Sequence, residues 1–231
     1  MSYIDAAFIC QNDPALSFNN SVYCFGKSTL PECNMKTPME ISDNNPAYPI
    51  CFGLFSSEKR SDSINLASIA SNSLKISTKN FEEYLVPPRQ LITESIHSML
   101  REINIAGGDS SDHSFISFAI FYVSAQYVYF YGSGKYQAFR LRDKELISLS
   151  KNCEADFRSV SSNITKGECQ SGDSYLVFTA DLEKVTSNMQ LYSILKYGAS
   201  NREKLKSIMD IKHPKRSNNA GILFSTYSSK A

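Results

Sequence analysis

Several kinds of side chain in this sequence have chemistry to offer, and their spacing limits what that chemistry can be. Gly132-Ser133-Gly134-Lys135 has the composition of a loop that cradles phosphate. Such a loop needs Gly at 129 and Ser or Thr at 136, with a helix to follow. The chain has Tyr129 and Tyr136 in a strand-like pattern, so a turn is expected instead. His97, His113 and His213 share no ligand spacing with one another or with cysteine. The six cysteines contain no C-x-x-C pair, which speaks against zinc and for buried thiols. Lys212-His213-Pro214-Lys215-Arg216 is a basic cluster that could hold phosphate or an acidic partner, although such runs are commonly solvated loops.

The elements that must carry these residues follow from periodicity. Residues 3–10, 21–25 and 48–55 read as strands. Between 27 and 47, three prolines and many Asn, Ser and Thr predict a long surface loop. Ile64, Ala67, Ala70 and Leu74 recur at helical spacing. Leu91, Ile92, Ser95, Ile96, Met99, Leu100 and Ile103 trace a second apolar stripe after Pro87-Pro88. Residues 115–123, 127–131, 136–141 and 145–149 form a run of strands whose links are too short for parallel crossovers. A strand at 174–178 follows, then a helix at 185–197, a second helix opened by the capping box Ser200-Asn201-Arg202-Glu203, and a strand at 222–227. This order predicts an α+β protein, one domain over 1–231, whose antiparallel sheets are covered by each other and by helices.

Composition narrows the function classes. The 24 basic and 23 acidic residues leave a net charge of +1, too small to make nucleic acid or an anionic membrane the main partner. No apolar run approaches the ~18 residues of a membrane span. The opening Met-Ser-Tyr-Ile-Asp lacks the regions of a signal peptide, and a cytoplasmic location is expected.

Five stretches taken together resemble the metal-dependent protein phosphatases, the PPM or type 2C family. Phe18-Asn19-Asn20-Ser21-Val22-Tyr23 resembles that family's Asn-Glu-Asp-Ser-Val-Tyr. Phe52-Gly53-Leu54-Phe55-Ser56-Ser57 resembles its strand ending in Asp-Gly, and Tyr131-Gly132-Ser133-Gly134-Lys135 its Gly-Asp-Ser-Arg turn. Gly172 to Leu182 resembles the strand that ends in Ser-Asp-Gly-Leu, and Asn218-Asn219-Ala220-Gly221-Ile222-Leu223 the Asp-Asn that opens the last strand. The resemblance implies an α/β/β/α sandwich of two antiparallel sheets flanked by helix pairs. It also implies an active site in which strand-end carboxylates hold two divalent cations.

In this chain the positions matching those carboxylates are Asn19, Asn20, Ser56, Ser133, Ala180 and Asn218. The position of the phosphate-holding arginine is Ala15, and two glycines become Ser57 and Asp181. Amides and hydroxyls do not neutralise a pair of hard dications. The expectation is therefore a catalytically inactive pseudophosphatase without magnesium or manganese, acting as a protein-binding or regulatory module in phospho-signalling. Its expected partner is a kinase, a phosphoprotein or an active phosphatase. Two alternatives stand beside it: a structural assembly subunit, and an active Ser/Thr phosphatase with a rewired metal site. The second would draw on Glu58, Asp62, Asp173 or Asp181, which otherwise read as ordinary turn and surface acids.

Overall fold

The computed structural model describes residues 2–12, 18–30, 33–43, 50–58, 65–81, 87–107, 116–150, 160–179, 187–211 and 219–228. The first half contains β1 (Ser2–Cys10), β2 (Phe18–Cys24), β3 (Lys27–Ser28), β4 (Met39–Asp43), β5 (Ile50–Glu58), α1 (Leu66–Phe81) and α2 (Pro88–Gly107). The second half contains β6 (Ile116–Val123), β7 (Tyr127–Ser133), β8 (Tyr136–Arg142), β9 (Glu145–Ser148), α3 (Val160–Asn163), β10 (Thr165–Glu168), β11 (Ser174–Thr179), α4 (Asn188–Tyr197), α5 (Asn201–Met209) and β12 (Ala220–Ser228). The strands form two six-stranded sheets, ordered β4-β1-β12-β11-β8-β9 and β10-β7-β6-β5-β2-β3, with every pairing antiparallel.

The two-residue alternation of strands sorts the apolar side chains into three layers. On β5, Ile50, Phe52 and Leu54 face the other sheet, while Cys51 and Phe55 face the helices. On β6, Ala119, Phe121 and Val123 point between the sheets, and Phe118, Ile120 and Tyr122 point outward under α1 and α2. The first sheet is built likewise: Tyr175, Val177, Ile222 and Phe224 lie in the central layer, and Leu176, Phe178 and Leu223 meet α4 and α5. Helices therefore cover both outer faces, and the α/β/β/α sandwich is as expected. Rings fill its centre. Phe224 stacks on Phe52 of the opposite sheet at 4.3 Å between centroids and on Tyr175 of its own sheet at 4.9 Å, with Phe121 edge-on at 5.3 Å.

Polar tethers fix the helix pairs. Asn201 is buried at the start of α5, donates from Nδ2 to the Asp5 carbonyl at 2.9 Å and accepts from Ser225 Oγ at 3.1 Å. The Tyr23 hydroxyl meets Thr78 Oγ1 of α1 at 2.6 Å. Ser200 caps α5 by accepting from the Glu203 amide, while the fully reciprocal capping box belongs to α4, between Ser187 and Gln190. The expected start of that helix at 185 lies outside the described residues. Among the described residues no helix is long and apolar enough to cross a membrane.

The expected loop at 27–47 is corrected: it holds β3 and β4, and β4 pairs with β1 from Phe8↔Met39 to Ile4↔Asp43. Such a strand escapes a sequence pattern because it sits at a sheet edge and turns mainly Ile41 inward. The same reason hides β10, a four-residue edge strand against β7.

The Phe224→Ala variant is expected to lose about 3–5 kcal/mol of unfolding free energy in urea titrations, because the ring packs against both sheets. Met39→Ala, on an exposed edge position, is expected to stay within about 0.5 kcal/mol of the parent.

Candidate functional site

Eight strand ends converge at one end of the sandwich. They are the starts of β2, β6, β8 and β12 and the finishes of β1, β5, β7 and β11, as the antiparallel registers require. Here the apolar layers run out and polar residues replace them. In the register Asn20 stands opposite Ser56, and Ser56 opposite Ser117, so these three share one row. Alternation from Val22, Leu54 and Ala119 turns that row toward the space between the sheets. Glu58 continues it two residues beyond Ser56 and is exposed. From the facing sheet comes Thr179, buried, with its Oγ1 accepting from the Ala220 amide at 3.3 Å.

Asn20 is held by Asn12. The Asn20 amide donates to Asn12 Oδ1 at 2.7 Å, and Asn12 Nδ2 donates to the Asn20 carbonyl at 2.9 Å. This reciprocal pair joins β2 to the finish of β1 and so clasps the two sheets. Asn20 Nδ2 donates to the Gln11 carbonyl at 3.2 Å, and the Cys10 thiol reaches the Asn20 carbonyl at 3.5 Å. Asn20 Oδ1 is left buried with no hydrogen-bond partner among the described residues. A sequence signal for Asn12 exists only in hindsight, as an amide two residues past a strand that ends in cysteine.

The remaining expected positions separate. Asn19, Ser57 and Ser133 fall on the opposite, helix-facing side of their strands. Ser57 has a structural task there: its Oγ accepts from the Ala67 amide of α1 at 3.1 Å, while Asn65 Oδ1 takes the Ser68 amide at 3.0 Å. Ser133 is buried at the close of β7, and the expected turn follows it. Gly134 has φ +84°, and a Cβ there would meet the Ser117 backbone at 2.9 Å, so this position requires glycine. Ala15, Asp62, Ala180, Asp181, Asn218 and the Lys212–Arg216 cluster lie outside the described residues.

Asp173 is not the surface acid expected of it. It is 1 % exposed and lies at the far end of the sandwich, where it binds the Arg142 guanidinium through both oxygens at 2.8 and 2.7 Å. It also accepts from the Gln170 amide and the Tyr175 hydroxyl. This pairing raises the Arg142 pKa above its ordinary value, and burial, followed by the Asp173 charge, raises that of Tyr175.

The fold has relatives among solved structures. The catalytic domain of the serine/threonine protein phosphatase PstP, in complex with two manganese ions, superposes with a TM-score of 0.64 at 12% identity, covering 99% of this chain and 100% of that one. The S. agalactiae serine/threonine phosphatase gives 0.60 at 13% identity over 99% and 100% of the two chains. RsbX in complex with magnesium gives 0.59 at 12% identity over 97% and 96%. No protein-family model and no curated protein sequence matches the chain. The fold is that of the metal-dependent, type 2C-like phosphatases.

Two expectations are overturned by this finding: that the chain is no enzyme, and that it takes no magnesium or manganese. The likeness runs the full length of serine/threonine phosphatases, and solved members of the fold carry manganese or magnesium. The expectations rested on strand-end residues alone. Outside the described residues the sequence holds further acids, among them Asp13, Asp62, Asp109, Asp112, Asp181 and Glu183. The described oxygens of Asn20, Ser56, Ser117 and Thr179 are hard but neutral donors, and by themselves they do not fit a pair of dications. Among the described residues no group of three or more His, Cys, Asp and Glu could hold a metal ion.

Asp173→Ala is expected to cost about 3–5 kcal/mol in chemical denaturation, because it strands a paired guanidinium and two further donors. Ser57→Ala is expected to cost about 1 kcal/mol through the start of α1.

Proposed function

We propose that the chain is a divalent-cation-dependent protein phosphatase that removes phosphate from phosphoserine or phosphothreonine at the converging strand ends. The observation that carries this is Asn20 Oδ1. A buried carbonyl oxygen without a donor costs about 1–3 kcal/mol. This one lies at the end of the sandwich, beside Ser56 and Ser117, in a fold shared with serine/threonine phosphatases over almost all of its length. A bound polar group would recover that energy.

A divalent cation, when bound, supplies Lewis acidity toward the phosphoryl group and an activated water. The residues of the chain do the positioning. The Asn12–Asn20 clasp holds the row rigid, and the apolar layer beneath it, closed by Phe52, Phe121 and Phe224, keeps water out of the sandwich. Glu58 is the described carboxylate of the row and is proposed to attract the cation. Of the partners expected from the sequence, a phosphoprotein is retained, now as substrate.

The test is phosphate release from a phosphothreonine peptide by the full chain with Mn²⁺. Turnover should be abolished by chelation and should fall about tenfold in Glu58→Ala with folding unchanged. Asn20→Asp, which adds an anion to the same row, is expected to tighten Mn²⁺ binding in calorimetry. Absence of metal-dependent release from the folded parent chain overturns the proposal.

A further inference from the structure

The described thiols differ sharply. Cys24 and Cys51 are buried, and burial raises both far above the ordinary thiol value. Cys169 is half-buried and is also raised by burial. Cys33 behaves otherwise. It lies just before Asn34, which bridges Gln11 in antiparallel fashion, and the Met35 amide donates to the Cys10 carbonyl at 2.9 Å. In that register Cys10 faces Met35 and Asn12 faces Cys33, so Cys10 and Cys33 are diagonal neighbours on one face. Both side chains pack in the layer between the sheets, Cys10 fully buried and Cys33 partly open. The nearness of Cys10 draws Cys33 down to about 7, while that of Cys33, together with burial, pushes Cys10 well up. An accessible thiolate with a second thiol as its neighbour on the same face is the arrangement that reacts with peroxide and then resolves.

We propose that Cys33 and Cys10 form a peroxide-responsive pair that closes to a reversible disulfide at the base of the converging strand ends. The Cys33 thiolate attacks one oxygen of hydrogen peroxide. The O–O bond breaks, hydroxide leaves, and the sulfur becomes a sulfenic acid, oxidised by two electrons. Cys10 sulfur then attacks Cys33 sulfur. The S–S bond forms as the S–O bond breaks, and the departing hydroxide takes the Cys10 proton and leaves as water. A thiol reductant restores both groups. The bond removes the Cys10 hydrogen that reaches the Asn20 carbonyl, so oxidation is felt at the amide clasp. None of this depends on the phosphatase reading.

The experiment treats the folded, reduced chain with hydrogen peroxide, blocks free thiols, digests without reductant and identifies linked peptides by mass spectrometry. A peptide joining Cys10 to Cys33 is expected, reversed by reductant and absent from Cys33→Ser. In Cys10→Ser the expected product is Cys33 sulfenic acid trapped by dimedone. If that variant fails to fold, alkylation of the reduced parent decides instead. Cys33 should react about tenfold faster at pH 7 than an ordinary thiol, with its rate rising through about pH 7, while Cys24 and Cys51 stay protected. A Cys33 that oxidises without joining Cys10, or that reacts no faster than an ordinary thiol, overturns the proposal.

Discussion

Each sheet of this protein is covered on both faces, and that constraint governs where anything other than packing can occur. A strand with one face in water alternates apolar with polar residues; a strand buried on both sides must be apolar at nearly every position. β6, with Phe118, Ala119, Ile120, Phe121, Tyr122 and Val123 all buried, is the clearest case. Along the strands, polar side chains are then concentrated at the sheet edges and the strand ends. Chemistry is pushed to the ends of the sandwich because an unpaired polar group in its middle would have neither water nor a partner.

The two ends answer that constraint differently. At the far end Asp173 and Arg142 form a bidentate pair, with further donors on the carboxylate, so that both carboxylate oxygens are engaged. At the other end the Asn12 side chain satisfies both backbone groups of Asn20 but Asn20 Oδ1 is left over. The first arrangement is a structural lock. The second is a rigid frame with spare capacity, and Cys10 sits directly beneath it.

Much of the fold was legible in the sequence because strong periodicity survives burial. The stripe from Leu91 to Ile103 and the aromatic meander could be read directly, and both lie where their spacing put them. β3, β4 and β10 were not legible, since an edge strand takes its order from the neighbour it pairs with more than from its own residues. Within the site, the family-like stretches put Asn20 and Ser56 at strand ends, and the register sets the two opposite each other. They also marked Ser57 and Ser133, which register turns to the helix side, and missed Asn12 and Ser117, whose positions depend on a partner strand. The step from absent carboxylates to absent catalysis is overturned by the likeness to serine/threonine phosphatases that carry manganese or magnesium, because a fold is shared through its packed layers and not through a few strand-end side chains.

By itself, then, the sequence determined the layered α+β architecture, the turn at Gly134, the lack of a zinc spacing and the chemical character of the strand-end residues. These are local properties, set by side-chain volume, backbone freedom and period. Only the tertiary structure decided which of those residues face one another, that Asp173 is locked to Arg142, and that Cys33 shares a face with Cys10. A one-residue change of register reverses the face of every side chain on a strand, and register is fixed by pairing across the sheet, which no single stretch of sequence contains.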